Sequence, residues 1–365
     1  MKKVLVFLVV ILTVIIACSK DSDEPVVPPT TTPAPVSPVV LDLDEVPYDS
    51  LSHYQFFSGN MADMDPSIGV LPFAPINALF SDYAHKSRFV WMPSGVHASY
   101  VSDSTVLDFP DGTALIKNFY YDHVQPTDQR RIIETRLMIK KYGQWIFADY
   151  VWNAEQTAAT LDMNGSYLPL SWTDDNSVAR SVTYRIPAAA ECLTCHQNSN
   201  IAIPIGPKPQ NLNSSFPYSG GSMNQLAKWT AVGYLNSGYP SSIATVAKWD
   251  DPNNSLNDRV RGYVDINCSH CHANDRYCSY REMRFAWGET PDPAHLGVCV
   301  PPDDPLLPIH THIVKPGNLD KSLLFYRISS DIDGVRMPLL GRTLVHEEAV
   351  QLFDDWINSL TEICN

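Results

Sequence analysis

The sequence predicts an α+β protein, with a β-rich N-terminal domain over residues 47–187, a connecting segment over 188–250 and a mainly α-helical domain over 251–365. Two patterns carry this prediction. Between residues 48 and 186, apolar and polar side chains alternate in short runs bounded by Gly, Pro and Asp, the period of half-buried strands. From Ser255 onward the apolar residues recur instead at helical spacing, in two stretches separated by a long irregular one. A chain of 365 residues can bury more than one core.

Met1, Lys2 and Lys3 precede an apolar run to Ala17, the layout of a signal peptide with a positive start and a short hydrophobic region. Its end, Ile15-Ile16-Ala17-Cys18, resembles a bacterial lipobox, which makes Cys18 the expected lipid-modified N-terminus. An ordinary secretory signal or an N-terminal membrane anchor are the other readings. Cleavage takes away Lys2 and Lys3 and no acidic residue, so the formal charge goes from −14 to −16. That field disfavours nucleic acid and favours a basic redox protein or a cationic small molecule as partner. Residues 18–46 begin with Lys20-Asp21-Ser22-Asp23-Glu24 and become proline-rich through Pro38, which predicts an extended tether.

Within the β-rich part, Ile133, Thr135, Leu137 and Ile139 alternate with Glu134, Arg136, Met138 and Lys140. Lys141-Tyr142-Gly143-Gln144 then turns the chain into residues 145–152, a β-hairpin pattern. Shorter strand runs occupy 87–92, 113–121 and 181–186. Trp91, Trp145, Trp152 and Trp172 read as core. No hydrolase elbow, phosphate loop or diagnostically spaced carboxylate pair occurs in this part.

The chemistry lies further on. Cys192-Leu193-Thr194-Cys195-His196 and Cys268-Ser269-His270-Cys271-His272 are two C-x-x-C-H pentapeptides. Two thiols at this spacing can add across the vinyl groups of a haem, and the next histidine then lies under the iron. The motifs predict two covalently bound haem c groups, with His196 and His272 as proximal ligands. A zinc site built from the four cysteines leaves both histidines and the export signal unexplained. Of the remaining cysteines, Cys278 and Cys299 are the favoured disulfide, since their bridge would tie down the insertion after the second motif, with pairing of either to Cys364 open.

The lead-in to the first motif, Pro187 to Glu191, is too short for an amphipathic helix, so the first haem is expected between the β-rich domain and the chain beyond the motif. A helix is predicted from Met223 to Leu235. Met223 or one of His53, His85, His97 and His123 is a candidate distal ligand of the first haem, and an open iron position is the third possibility. The second motif follows a helix begun by Ser255 with Leu256, Val260, Tyr263 and Val264 on one face, and a further helix spans 345–360. Between them lies Arg336-Met337-Pro338, whose Met337 is the expected distal ligand of the second haem, with His310 and His312 next in line.

Arg88-Phe89-Val90-Trp91-Met92-Pro93, Ile133-Glu134-Thr135-Arg136-Leu137, Tyr150-Val151-Trp152-Asn153, both pentapeptides, Ile313-Val314-Lys315-Pro316-Gly317-Asn318 and Arg336-Met337-Pro338 together carry a resemblance. The chain resembles a family of exported bacterial di-haem c-type proteins with a β-rich N-terminal half and a C-terminal cytochrome c domain. The resemblance implies haem and electron transfer between redox partners and does not point to a substrate. The signal-peptide layout and the lipobox at Cys18 place the protein in the cell envelope, lipid-anchored to a membrane on the periplasmic or cell-surface side. The enzymatic alternative is a di-haem peroxidase or oxidase with an open iron site at the first haem.

Overall fold

The structure is a computed structural model, and it describes residues 36–364. The expected signal segment 1–17, Cys18 and the expected tether up to residue 35 lie outside the described residues. Residues 36–46, assigned above to the tether, are instead part of the folded domain. Val46 is buried, Val39, Leu41 and Leu43 pack on the sheet, and Ser37 Oγ accepts the indole N–H of Trp91 at 3.1 Å.

One eight-stranded antiparallel sheet organises this part. Its strands are β1 (Leu71–Pro72), β2 (His85–Trp91), β3 (Ala114–Val124), β4 (Gln129–Lys141), β5 (Gln144–Trp152), β6 (Ala159–Leu161), β7 (Ser166–Thr173) and β8 (Ala179–Ile186). β1 to β6 are neighbours in chain order, and the β7–β8 hairpin joins β3 through Val124 and Trp172. Tyr142 and Gly143 close the β4–β5 hairpin with φ of 51° and 78°. Positive φ at both central residues is what a two-residue hairpin turn with the twist of its strands requires. The four tryptophans read as core are all buried. β7 escaped the sequence pattern because Pro169 interrupts it. The strand tolerates that proline because β7 reaches β3 only at Trp172, leaving one edge of Pro169 without a ladder.

The alternation along β4 is broken once. Phe119 pairs with Glu134 and Tyr120 with Ile132, so Ile133 is an extra, bulged residue. Ile132 therefore joins the core of Leu137 and Ile139, while Ile133 joins Phe119, Tyr121 and Trp172 beneath the β7–β8 hairpin. Burial on both faces of the sheet also changes the meaning of the polar positions. Glu134 is fully buried and Arg136 half-buried, so they face the protein interior rather than solvent.

After the sheet come α1 (Ala189–Cys195), β9 (Gln197–Asn198), β10 (Ile201–Ala202), α2 (Pro209–Leu212), β11 (Ser215–Tyr218), β12 (Gly221–Asn224) and α3 (Gln225–Ala231). The helix expected from Met223 begins later because Asn224 is its cap, its side chain accepting from Leu226 N at 3.0 Å and Ala227 N at 3.3 Å. Met223 consequently lies on β12 opposite Phe216, half out in solvent.

The last part contains α4 (Leu256–Asn267), α5 (Leu323–Ser329) and α6 (Glu347–Ser359). Ser255 caps α4 by accepting from Asp258 N at 3.1 Å. Val260, Tyr263 and Val264 of α4 pack on Leu352, Phe353, Trp356 and Ile357 of α6, each burial contributing about 1.5–3 kcal/mol. Yet this part is not mainly helical. Most of residues 268–322 and 330–346 is irregular; Pro291, Pro293, Pro301, Pro302, Pro305, Pro308 and Pro316 in the first stretch and Pro338 in the second remove donors that a helix or ladder needs. The protein is α+β, with its helices few and short outside α4 and α6.

Candidate functional site

The two pentapeptides begin far apart in sequence and meet in the fold. Cys192 and Cys195 lie in α1, whose start is fixed by Glu191 accepting from Ala188 N at 3.0 Å and pairing with Arg185. His196 follows as the C-cap, and its Nδ1 lies 3.0 Å from the carbonyl of Ile203. A carbonyl can only accept, so Nδ1 carries the proton and Nε2 keeps its lone pair for another partner. Cys268 caps the end of α4, and the N–H groups of Cys271 and His272 bond back to its carbonyl at 3.1 and 2.9 Å. The ring of His272 meets Phe285 edge-on at 5.3 Å, and its Nδ1 is buried without a protein partner. Burial lowers both His196 and His272 to a pKa of about 4, so each is a neutral imidazole at pH 7, the form that binds a metal.

Each pentapeptide opens onto its own cavity. The first is lined by Cys192, Cys195 and His196 on one side and by the sheet on the other, through Leu115, Lys117, Phe119, Arg136, Met138 and Phe147. The second is lined by Cys268, Cys271, His272, Met283, Phe285 and Met337. Cys195, His270 and residues 338–340 line both, so the cavities share a wall. Within that wall the Cys195 and Cys271 sulfurs and a ring nitrogen of His270 all lie within 4.8 Å of one another. Cys271 also donates weakly to the carbonyl of Thr194 at 3.5 Å. All four motif cysteines are free thiols. The closeness of the two sulfurs holds Cys195 low and pushes Cys271 up.

Met337 is presented by a loop that is held in place by one buried arginine. The guanidinium of Arg342 donates to the carbonyls of Met337 at 2.7 Å, Ser330 at 3.0 Å, Leu344 at 3.0 Å and Arg327 at 3.1 Å. Met337 N returns a bond to Arg327 O at 3.0 Å. The sheet domain clamps the same loop through Asp82, which accepts from Thr343 N at 2.6 Å, Leu344 N at 2.7 Å and Thr343 Oγ1 at 3.0 Å.

The sheet wall of the first cavity is highly charged. Arg88, Lys117, Arg136 and Asp149 are direct cross-strand neighbours on β2 to β5 and so share one face. Arg136 is bound by Glu134 at 2.5 and 2.9 Å, and Tyr184 donates to Glu134 at 2.5 Å. Although burial opposes it, the charge of Arg136 keeps Glu134 ionised, whereas burial and the adjacent Glu134 push Asp149 well up. Burial lowers Lys117 well below its ordinary range and Arg88 to about 10.

Several sequence expectations end elsewhere. Met223 lines neither cavity, and nor do His53, His85, His97 and His123. His310 is buried against the ring of Tyr326 at 4.7 Å, and neither it nor His312 lines the second cavity. The expected Cys278–Cys299 bridge is replaced by Cys299–Cys364, with Cα atoms 5.1 Å apart. Cys278 is instead a buried free thiol in the wall of the second cavity, on a segment tied to the second motif by its N–H bond to Cys271 O at 3.0 Å. His270 went unnoticed because it occupies a variable position inside its own motif. Arg88, Lys117 and Arg136 were missed because alternation alone reads a polar face as solvent-facing.

Comparisons of the chain with family models, with curated proteins and with solved structures give no match.

Proposed function

We propose that the protein is an exported di-haem c-type electron carrier, tethered to a membrane through Cys18 and passing electrons between a donor and an acceptor of the cell envelope. The observation that carries this reading is the convergence of Cys195 and Cys271, which brings two C-x-x-C-H motifs from separate parts of the chain to one shared wall. The residues fit the group. Four unbridged thiols, two neutral histidines and two cavities with largely hydrophobic side-chain linings meet its needs, and a proximal histidine donating its second N–H to a carbonyl is the usual orientation of a metal-bound imidazole. When bound, haem c supplies reversible one-electron chemistry.

In this reading His196 and His272 are the proximal ligands and Met337 the distal ligand of the second site, held by Arg342 and Asp82. A thioether partner raises the potential, so the second site takes the higher-potential step. α4, the second motif, the Met337 loop and α6 then make up a cytochrome c-like unit enlarged by its irregular insertion. The shared wall brings the two proposed sites next to one another.

The test is production in a host with c-type maturation. Two covalent haems by intact mass and pyridine haemochrome are expected, falling by one in Cys192→Ala/Cys195→Ala and by one in Cys268→Ala/Cys271→Ala. A mature protein without covalent haem overturns the proposal.

A second reading, a di-haem peroxidase or oxidase, is favoured by one observation. None of the distal ligands expected for the first site reaches its cavity, and the wall there carries Lys117, Arg136 and Tyr184, groups able to bind or protonate a small molecule. A high-spin component with peroxide turnover would select it, and a fully low-spin protein would remove it.

A further inference from the structure

The cations in the sheet wall of the first cavity outnumber the acids available to them. Arg88, Lys117 and Arg136 stand in one cross-strand row on β2, β3 and β4, and like charges directly opposite one another repel. Only Arg136 has counter-ions, in Glu134 at 2.5 Å and Asp149 at 3.6 Å. The other carboxylates of this cavity are committed elsewhere. Asp82 accepts from the loop at Thr343 and Leu344, and Glu191 is taken by Arg185 and Ala188 N. Among the described residues, no hydrogen bond or ion pair engages the Arg88 guanidinium or the Lys117 amine. Lys117 Nζ and Arg136 Cζ each lie 4.4 Å from the centre of the Phe119 ring, so the ring holds both cations in position at the cavity wall.

Two half-buried basic groups facing a cavity without partners keep their charge only at a cost, which burial already expresses in the lowered Lys117 amine, and an anion held there would relieve it. We propose that Arg88 and Lys117, backed by Arg136, form an anion site in the wall of the first cavity that takes a carboxylate or a small oxyanion of similar geometry. Its planar fork suits Arg88 to grip two oxygens side by side, while Lys117 supplies a point charge. The anion has two possible sources: a propionate of the group attached at Cys192 and Cys195, or a free oxyanion drawn in as a substrate. The inference rests on the function proposed above.

The test uses the mature holoprotein and the variants Arg88→Gln, Lys117→Gln and Lys117→Arg. Haem count is read in every sample. The propionate bending bands of the resonance Raman spectrum are recorded, and nitrite and formate are titrated against the Soret band. A propionate source predicts shifted bending bands for one haem in both glutamine variants, with no response to added anion. A free source predicts a saturable Soret response in the wild type, weakened about tenfold or more in each glutamine variant, as the loss of a charge-assisted bond implies. Lys117→Arg keeps the charge and should behave as the wild type in either case.

Unchanged bending bands together with no anion response overturn the proposal. So does a spin-state change in Lys117→Gln that Lys117→Arg fails to restore, which would make the amine an iron ligand instead. Should a glutamine variant fold poorly, the wild-type titration and Arg88→Lys, which keeps the charge but loses the fork, still decide. Fewer than two haems in the wild type defeats the parent reading, whereas two haems with neither effect defeats the anion site alone.

Discussion

The carboxylate of Asp82 accepts the backbone N–H of Leu344 at 2.7 Å, across 262 residues of sequence, and thereby fastens the Met337 loop to the sheet domain. Asp82 is itself fixed, since Tyr121 donates to its carbonyl at 2.8 Å. Asp82→Ala should release the loop and cost about 1.5–3 kcal/mol for charge-assisted bonds left unmade, read as a lower midpoint in denaturant. An unchanged midpoint would show that Arg342 holds the loop alone.

If Met337 ligates the second haem as proposed, Met337→Ala is expected to abolish the near-infrared band of a thioether–iron bond and to lower the potential of one haem only. Redox titration of the variant checks both effects. Retention of both would assign the distal ligand to another side chain.

Gly262 lies where α4 meets the chain around Ala247. A Cβ there would collide with Ala247 O, and Asn77 Nδ2 bonds both Ala247 O at 2.8 Å and Gly262 O at 3.2 Å. Backbone on both sides leaves no room to yield, so Gly262→Ala should destabilise by about 1–3 kcal/mol. Thermal unfolding of the holoprotein measures it, and an equal or higher Tm would contradict the packing described.

The stability of the fold should decline in acid partly through His346. Its ring stacks on Phe80 at 4.0 Å, its Nδ1 meets Tyr263 Oη at 3.1 Å, and burial lowers it to a pKa of about 3. A histidine depressed in the folded state is held neutral there, so its contribution is fully present above the unfolded value near 6.5. That contribution is lost progressively as pH falls towards 3. His346→Gln should be less stable than the wild type at pH 7 and lose less stability between pH 7 and pH 4. Parallel pH profiles would disprove the assignment.

Cys299→Ser or Cys364→Ser removes a cross-link between residues 65 apart in sequence, with an expected loss of about 2–4 kcal/mol. Cys278→Ser should leave the cross-link intact and lower the thiol count by one. Peptide mapping under non-reducing conditions distinguishes these outcomes.

What the sequence made legible was local. The β4–β5 hairpin is written in the alternation and in Tyr142-Gly143, and the Ser255 cap announces α4. The thiol spacing likewise sets Cys268, Cys271 and His272 around one cavity, because the helical turn that closes on Cys268 O is short-range. Hidden features all depend on distant partners. Whether Arg136 faces water or a cavity is decided by what covers the sheet, and Cys364 pairs with Cys299 only because α6 returns the tail to the insertion. Asn224 shows the same limit on a small scale. As a cap it starts α3 at Gln225, two residues too late for Met223 to join the helix.

If the protein is exported to an oxidising compartment as proposed, the closeness of Cys195 and Cys271 bears on the order of events in its biogenesis. Sulfurs held within 4.8 Å in the finished fold are poised to oxidise to a cystine that would block both attachment sites together. On the di-haem reading proposed above, the chain is expected to receive its haems while still open, before the shared wall closes. Haem-free protein allowed to fold in air should yield a Cys195–Cys271 cross-linked peptide. Its absence from the peptide map would free maturation from that timetable.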